Sequence, residues 1–233
     1  MKKKLTAIDL FSGAGGLHLG FEESGYDVKL CIDNNDLVEK THKRNFPHIP
    51  MINGDIRDVT ADQIREYLNG ESLDVIIGGP PCQGFSTIGH RASSDPNKRY
   101  AHDARNELVL VYANLIKELR PKFIVMENVK GILTLDKGAY LENVMKTLHE
   151  AGYNAEYRLI NMADYGVPEI RNRVIIIGNR VGLPVAFPNP DHSDNPDDGL
   201  PGWAACGSVL KDLVDMPDNP QFNHVDLISS LFV

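Results

Sequence analysis

Cysteine is scarce in this chain. Its 233 residues include only Cys31, Cys82 and Cys206, and no two of them form a C-x-x-C pair. That spacing argues against a disulfide framework and against a zinc site, and it suits a reducing compartment. Long apolar runs are also missing, since no segment approaches the roughly 20 residues of a membrane span. The Met1-Lys2-Lys3-Lys4 start leads only to Leu5-Thr6-Ala7-Ile8 before Asp9 interrupts, too little for a secretory signal. The expected location is the cytoplasm, or the nucleus if the source has one. Repeats and low-complexity tracts are absent as well. Positive charge is in deficit: 24 Lys and Arg against 32 Asp and Glu give a net charge of −8. That balance is unfavourable for a nucleic-acid binder, because phosphate contacts need cations. The charge is unevenly spread, however. Residues 90–105 carry Arg91, Lys98, Arg99 and Arg105, whereas 191–218 carry seven aspartates and only Lys211.

What is present is an alternation of short apolar runs with helical patterns. Strands are expected over 7–11, 28–32, 73–77, 123–126 and 174–178, with a short apolar segment at 49–52. Helices are expected over 17–24, 36–45, 61–68, 106–119 and 140–150, and a short one over 207–216. In 106–119 the apolar residues fall at 108, 111, 112, 115, 116 and 119, the helical spacing, and Pro121 stops the run. Strand–helix alternation with continuously apolar strands predicts an α/β fold, a doubly wound and mainly parallel sheet covered on both faces. The pattern decays beyond residue 180. The expected organisation is a domain over 1–180 followed by a linker-like 181–233.

Cys82 is the most informative residue. It follows the strand-like Leu73–Ile77 and sits in Gly79-Pro80-Pro81-Cys82-Gln83-Gly84-Phe85-Ser86. The two prolines stiffen the chain as it leaves the sheet. A thiol is thereby held at the carboxyl end of a strand, where open α/β sheets carry their reactive groups. The alternative is a cysteine that merely packs, the common fate of free cysteines; Cys31, inside Val28–Ile32, reads that way.

Two further groups of residues gather around that thiol. Asp9-Leu10-Phe11-Ser12-Gly13-Ala14-Gly15-Gly16 follows the first strand and opens a helix, where glycines let a ligand approach backbone amides. His18 stands where a G-x-G-x-x-G fingerprint has its third glycine. Asp33 ends the second strand and can bind ribose hydroxyls. Asp55 follows the next apolar segment, where it can accept from an exocyclic amine while Ile56 covers a purine ring. Each acid alone is more often a cap or turn residue; at successive strand ends they describe a nucleoside pocket. On the other side, Glu127 follows Phe123–Met126, and a carboxyl at a strand end can serve as a proton donor. Arg171 and Arg173 precede the late strand and, in extended chain, point the same way. The competing readings are a loop acid and a pair of surface arginines.

Taken together, these residues resemble the DNA cytosine-5 methyltransferase family. DLFSGAGG at 9–16, Asp33, GDI at 54–56, GPPCQGFS at 79–86, ENV at 127–129 and EIRNR at 169–173 match six of its motifs in order, across roughly residues 5–180. The resemblance implies a Rossmann-like domain that uses S-adenosylmethionine, with no metal, on a cytosine flipped out of duplex DNA. It implies Cys82 as nucleophile, Glu127 and Arg173 as cytosine contacts, and Arg171 as support for the pocket or the Cys82 loop. Phe11, Gly13, Gly15, Gly16, Asp33, Asn34, Asp55, Ile56, Gly79, Pro81 and Leu108 are the implied cofactor contacts. The basic loop from Gln83 to about Asp103 would act as a lid. Glu169 departs from the family's usual glutamine, and an acid there can pair with the arginines. The family's target-recognition region and last motif have no counterpart, which implies a catalytic portion, or a subunit that needs a second chain. An inactive cofactor-binding module and an NAD-dependent oxidoreductase are the rival readings. The latter rests only on the glycine loop and Asp33.

Overall fold

The computed structural model describes residues 3–81 and 108–211, apart from the side chains of Leu135 and Asp136. Cys82, the basic 90–105 segment and the terminal residues from 212 lie outside the described residues.

Seven strands form one sheet: β1 (Thr6–Leu10), β2 (Asp27–Asp33), β3 (Met51–Asn53), β4 (Val75–Gly78), β5 (Phe123–Val129), β6 (Asn154–Asn161) and β7 (Asn172–Asn179), in the order β3-β2-β1-β4-β5-β7-β6. The first five pair with one another in parallel. Helices α1 (Gly16–Glu23), α2 (Asp36–Asn45), α3 (Ala61–Tyr67), α4 (Leu108–Leu119) and α5 (Ala139–Glu150) connect the strands, and a short α6 spans Cys206–Val209. Every residue of β1 and β4 is buried, as strands covered on both faces must be. Two apolar clusters lie against the sheet. One is centred on Ile8, Leu10, Ile76, Tyr112, Ile124 and Ile176, the other on Ala7, Val28, Cys31, Val75 and Ile77.

The expected fold class is therefore observed, with three differences of detail. β7 runs antiparallel to β5, so the mainly parallel sheet carries an antiparallel end. β6 has no counterpart among the expected strands. Of its eight residues only Ala155 and Ile160 are buried, and the strand lies at the sheet edge, so its sequence lacks an apolar alternation. β5 also continues past Met126 to Val129, because the ladder with β7 extends to the Val129–Arg173 pair. Helix ends follow side-chain caps: Asn35 accepts from the Leu37 amide, and Thr60 with Gln63 forms a capping box. The expected helix over 207–216 is described only as α6.

The chain divides into two compact units. The first contains the described residues to Ile160 together with Asn172–Pro188. The second contains Asn161–Arg171 and the described residues from Asn189. Its internal ties include Trp203 Nε1, which donates to Asp164 at 3.0 Å, and the Cys206 thiol, which donates to the Pro168 carbonyl at 2.7 Å.

Asp74 fastens the amino end of the sheet. Its carboxylate accepts from the Thr6 amide at 2.9 Å and from Lys122 Nζ at 2.6 Å. Burial pushes its pKa up, but the Lys122 ammonium and the Thr6 amide outweigh burial and leave it below the ordinary value. A lowered folded-state pKa means stability that is present above the unfolded value and is lost as pH falls through the folded one. Asp74→Asn is expected to cost about 1–3 kcal/mol at neutral pH. Its stability should also fall less than that of the wild type between about pH 5 and pH 2. Urea denaturation across that range reads both quantities, and identical acid dependence of the two proteins would refute the assignment.

Candidate functional site at the carboxyl ends of the strands

β1 leads to β2 on one side and β4 lies on the other, so the strand order reverses between β1 and β4. Such a switch point leaves a crevice beyond the carboxyl ends of the strands. A cleft opens there, lined by Phe11, Ile32, Asp33, Asn34, Asn35, Gly54, Asp55, Ile56, Gly79, Pro81 and Leu108. The two central strands come very close at this end. A Cβ on Gly78 would stand 2.4 Å from the Leu10 carbonyl oxygen and 2.9 Å from the Tyr112 ring, so only glycine fits.

Phe11, Asp33, Asn34, Asp55, Ile56, Gly79, Pro81 and Leu108, all singled out from the sequence, line this cleft. Ile32, Asn35 and Gly54 line it too and were missed. Asn35 caps α2, its side-chain oxygen accepting from the Leu37 amide at 2.9 Å. Phe11 has φ 64, a left-handed conformation that is strained for a bulky residue.

Asp33 organises the cleft floor. Its Oδ2 accepts from the Gly13 amide at 2.9 Å and its Oδ1 from the Asn35 amide at 3.1 Å. The carboxylate thus ties the glycine turn to the start of α2 and keeps further lone pairs for a ligand. Asp55 is engaged by Arg57. Its Oδ1 accepts from Arg57 Nε at 2.9 Å and from the Arg57 amide at 3.0 Å, and its Oδ2 accepts from the guanidinium at 2.5 Å. These bonds hold its pKa down, at about 2.

Gly13, Gly15 and Gly16 do not line the cleft. The need for glycine at position 15 is nevertheless plain. It has φ +97, and a Cβ there would lie 2.5 Å from Phe46 Cε2 and 2.8 Å from the His18 ring. Gly16 opens α1 and has nothing within 4 Å of such an atom.

Glu127 and Arg173 meet on one face of the β5–β7 ladder. Glu127 pairs with Ile175 and Val129 with Arg173, so the two side chains are diagonal neighbours. Arg173 Nε donates to Glu127 Oε1 at 2.6 Å. The other oxygen, Oε2, lies 3.3 Å from where a Cβ on Gly79 would be. Gly79 therefore borders both the cleft and the Glu127–Arg173 pair. Asn128, buried on the opposite face, donates to the Pro80 carbonyl at 3.3 Å and so pins the segment that leads to Cys82. Nothing in the sequence distinguished Asn128 from its neighbours in ENV. Arg171 precedes the ladder and belongs to the second unit, where Glu169 Oε1 lies 3.6 Å from its Nη1. The acid that replaces the usual glutamine thus pairs with an arginine.

A family model for C-5 cytosine-specific DNA methylases matches residues 5–229. Type II methyltransferase M.AquIA of Picosynechococcus sp. is 41% identical over 202 residues, which cover 82% of this chain and 78% of the relative. Type II methyltransferase M.XorII of Xanthomonas oryzae is 37% identical over 230 residues, 97% of this chain but 50% of the relative. The chain thus spans about half the length of M.XorII. Among solved structures, Spodoptera frugiperda DNMT2 superposes with a TM-score of 0.65 at 25% identity, covering 94% of this chain and 62% of that one.

The glycine turn yields a test. Gly15→Ala is expected to destabilise the chain by about 1–3 kcal/mol, through overpacking and a strained φ. Gly16→Ala should change stability by less than about 0.5 kcal/mol. Chemical denaturation midpoints at constant m-value decide it, and equal effects of the two substitutions would remove the packing argument.

Proposed function

This chain belongs to the C-5 cytosine-specific DNA methylase family, and from that premise we propose that it methylates C5 of a cytosine swung out of duplex DNA, with S-adenosylmethionine as methyl donor. The observation that carries this reading is that Gly79, three residues before Cys82 in the sequence, borders both the cleft and the Glu127–Arg173 pair.

The residues that line the cleft fit a nucleoside donor. Asp33 offers an acceptor to ribose hydroxyls, and Asp55, held ionised by Arg57, offers one to an exocyclic amine. Ile56, Phe11, Pro81 and Leu108 supply apolar walls. When bound, S-adenosylmethionine supplies an electrophilic methyl group.

The remaining chemistry is a demand on the protein. C5 of cytosine is a poor nucleophile. The Cys82 thiolate adds to C6, and the electron pair displaced from the C5–C6 bond makes C5 enamine-like and reactive. Glu127 hydrogen-bonds the N3 and exocyclic-amine edge, and stabilises the charge that develops there. Arg173 holds Glu127 in place and contacts the cytosine O2. After methylation the C5 proton leaves to a base, the C5–C6 double bond re-forms, and the Cys82–C6 bond breaks to return the thiolate. The base must leave the stack to reach this site. Duplex DNA is accordingly the proposed partner. The relatives' Type II names suggest a restriction–modification role in a cytoplasmic, nucleoid-associated setting. Among the described residues no helix is long and apolar enough to cross a membrane.

A second reading is favoured by the fraction of M.XorII that the chain spans: a catalytic portion that needs a separate recognition chain and is inactive alone.

Cys82→Ser is expected to abolish methyl transfer while binding of S-adenosylmethionine persists. Asp33→Ala should weaken that binding at least about tenfold, the worth of one charged hydrogen bond. Isothermal titration with S-adenosylmethionine and with NAD, and methylation of labelled DNA in competition with transfer RNA, read these outcomes. Preference for NAD, or methylation by the Cys82→Ser protein, would overturn the proposal. A covalent complex of this chain alone with DNA containing 5-fluorocytosine would reject the second reading.

A further inference from the structure

Beneath the glycine turn lies a buried polar cluster for which the proposed reaction has no use. His18 on α1, Cys31 on β2 and His42 on α2 are essentially inaccessible, at 0%, 0% and 2% exposure. One donor atom from each lies within 4.8 Å of the other two. The His18 and His42 rings stand 5.6 Å apart at 67°, and the Cys31 sulfur is 3.3 Å from His18 Nδ1.

Each histidine is held by one nitrogen only. His18 Nδ1 faces Asp9 Oδ2 at 3.0 Å, and His42 Nε2 faces the Ile49 carbonyl oxygen at 2.8 Å. A carboxylate and a carbonyl can only accept, so those two nitrogens are the donors of their rings. The opposite nitrogens, His18 Nε2 and His42 Nδ1, therefore present lone pairs. Both are buried, and neither has a hydrogen-bond partner among the described residues. Two unpartnered ring nitrogens in one buried cluster with a thiol, each ring oriented by an acceptor at its other nitrogen, form an arrangement that metal-binding histidines adopt.

We propose that His18 Nε2, His42 Nδ1 and the Cys31 sulfur bind a structural zinc ion, with Asp9 and the Ile49 carbonyl orienting the two rings. Two imidazoles and a thiolate suit zinc, whose bond lengths of about 2.0–2.1 Å to nitrogen and 2.3 Å to sulfur put donors roughly 3.3–3.6 Å apart. The Cys31 sulfur rests against the Nδ1 edge of His18, so capture by Nε2 requires rotation of the Cys31 or His18 side chain as well as closure of the donors. Coordination makes the sulfur a thiolate, and the thiol proton passes to solvent. The ion would join α1, β2 and α2 directly under the turn that contains Gly15. No motif spacing announces this site, which is why the cysteine pattern argued against zinc; the donors converge only through the pairing of β1 with β2.

The test uses the whole chain, purified without chelator for elemental analysis and then loaded with Co²⁺ in place of zinc. About one equivalent of metal is expected, with intense tetrahedral d–d bands and a thiolate-to-cobalt charge-transfer band in the near ultraviolet. Cys31→Ser should abolish the charge-transfer band, and His42→Gln should weaken Co²⁺ binding at least tenfold. Cys206→Ser and Cys82→Ser should leave both unchanged. X-ray absorption of the zinc-loaded wild type should show one sulfur and at least two nitrogen neighbours, a readout that needs no variant to fold. Absence of stoichiometric metal, a first shell without sulfur, or a charge-transfer band that survives Cys31→Ser would overturn the proposal.

Discussion

The close approach of β1 and β4 at Gly78 is the constraint on which the rest depends. With no side chain at that position, the Leu10 carbonyl and the Tyr112 ring can both close on the strand. Tyr112 then donates to the Val125 carbonyl at 3.0 Å, which links α4 to β5 as well. The two halves of the sheet diverge from this seam, and the cleft lies at its carboxyl end. A polar or bulky residue at position 78 would separate the strands just where Phe11 and Gly79 line the cleft. The geometry of the cleft therefore begins with a packing requirement in the core rather than with any reactive group.

The antiparallel β5–β7 pairing makes the second contribution. In a wholly parallel sheet, a strand after β5 would present its carboxyl end alongside Glu127. Here β7 presents its beginning instead, and Arg173 arrives beside Glu127 with a 2.6 Å ion pair. An acid and a base at opposite ends of their own strands thus become neighbours on one face. Burial is partial for both, 29% and 19% side-chain exposure, so the pair retains contact with the solvent-facing end of the sheet.

Much of this was legible in the sequence because strands buried on both faces leave continuous apolar runs, and strand ends leave glycine and proline. Asp33, Asp55 and Glu127 were singled out by that rule, and Gly79 through the family resemblance. What was not legible has identifiable causes. β6 is an edge strand with two buried residues and no period to detect. The direction of β7 depends on a connection whose composition is neutral. Asn128 reads as a neighbour of Glu127, and its bond to Pro80 exists only once β4 and β5 are paired. Asp55 reads as a free acceptor, whereas Arg57, two residues on, bonds both of its oxygens and leaves a lone pair on Oδ2.

His18 is the most instructive departure. In a dinucleotide-binding fingerprint the third glycine permits close packing of helix on strand. Here a histidine occupies that place, fully buried, and the helix still packs. Two compensations make this possible. Asp9, inside β1, accepts from the ring and so satisfies a polar group that would otherwise be costly to bury. Gly15 gives up a side chain so that the ring and Phe46 can fill the space. Burial pushes the Asp9 carboxyl above its ordinary value, and His18 opposes that shift only in part. Neither residue is tolerable there without the other: a buried acid alone or a buried histidine alone would leave an unmatched polar group in the core. The glycine turn thus owes its shape to a polar pair below it as much as to the ligand expected above it, and a sequence comparison that scored position 18 against glycine would miss the substitution's physical logic.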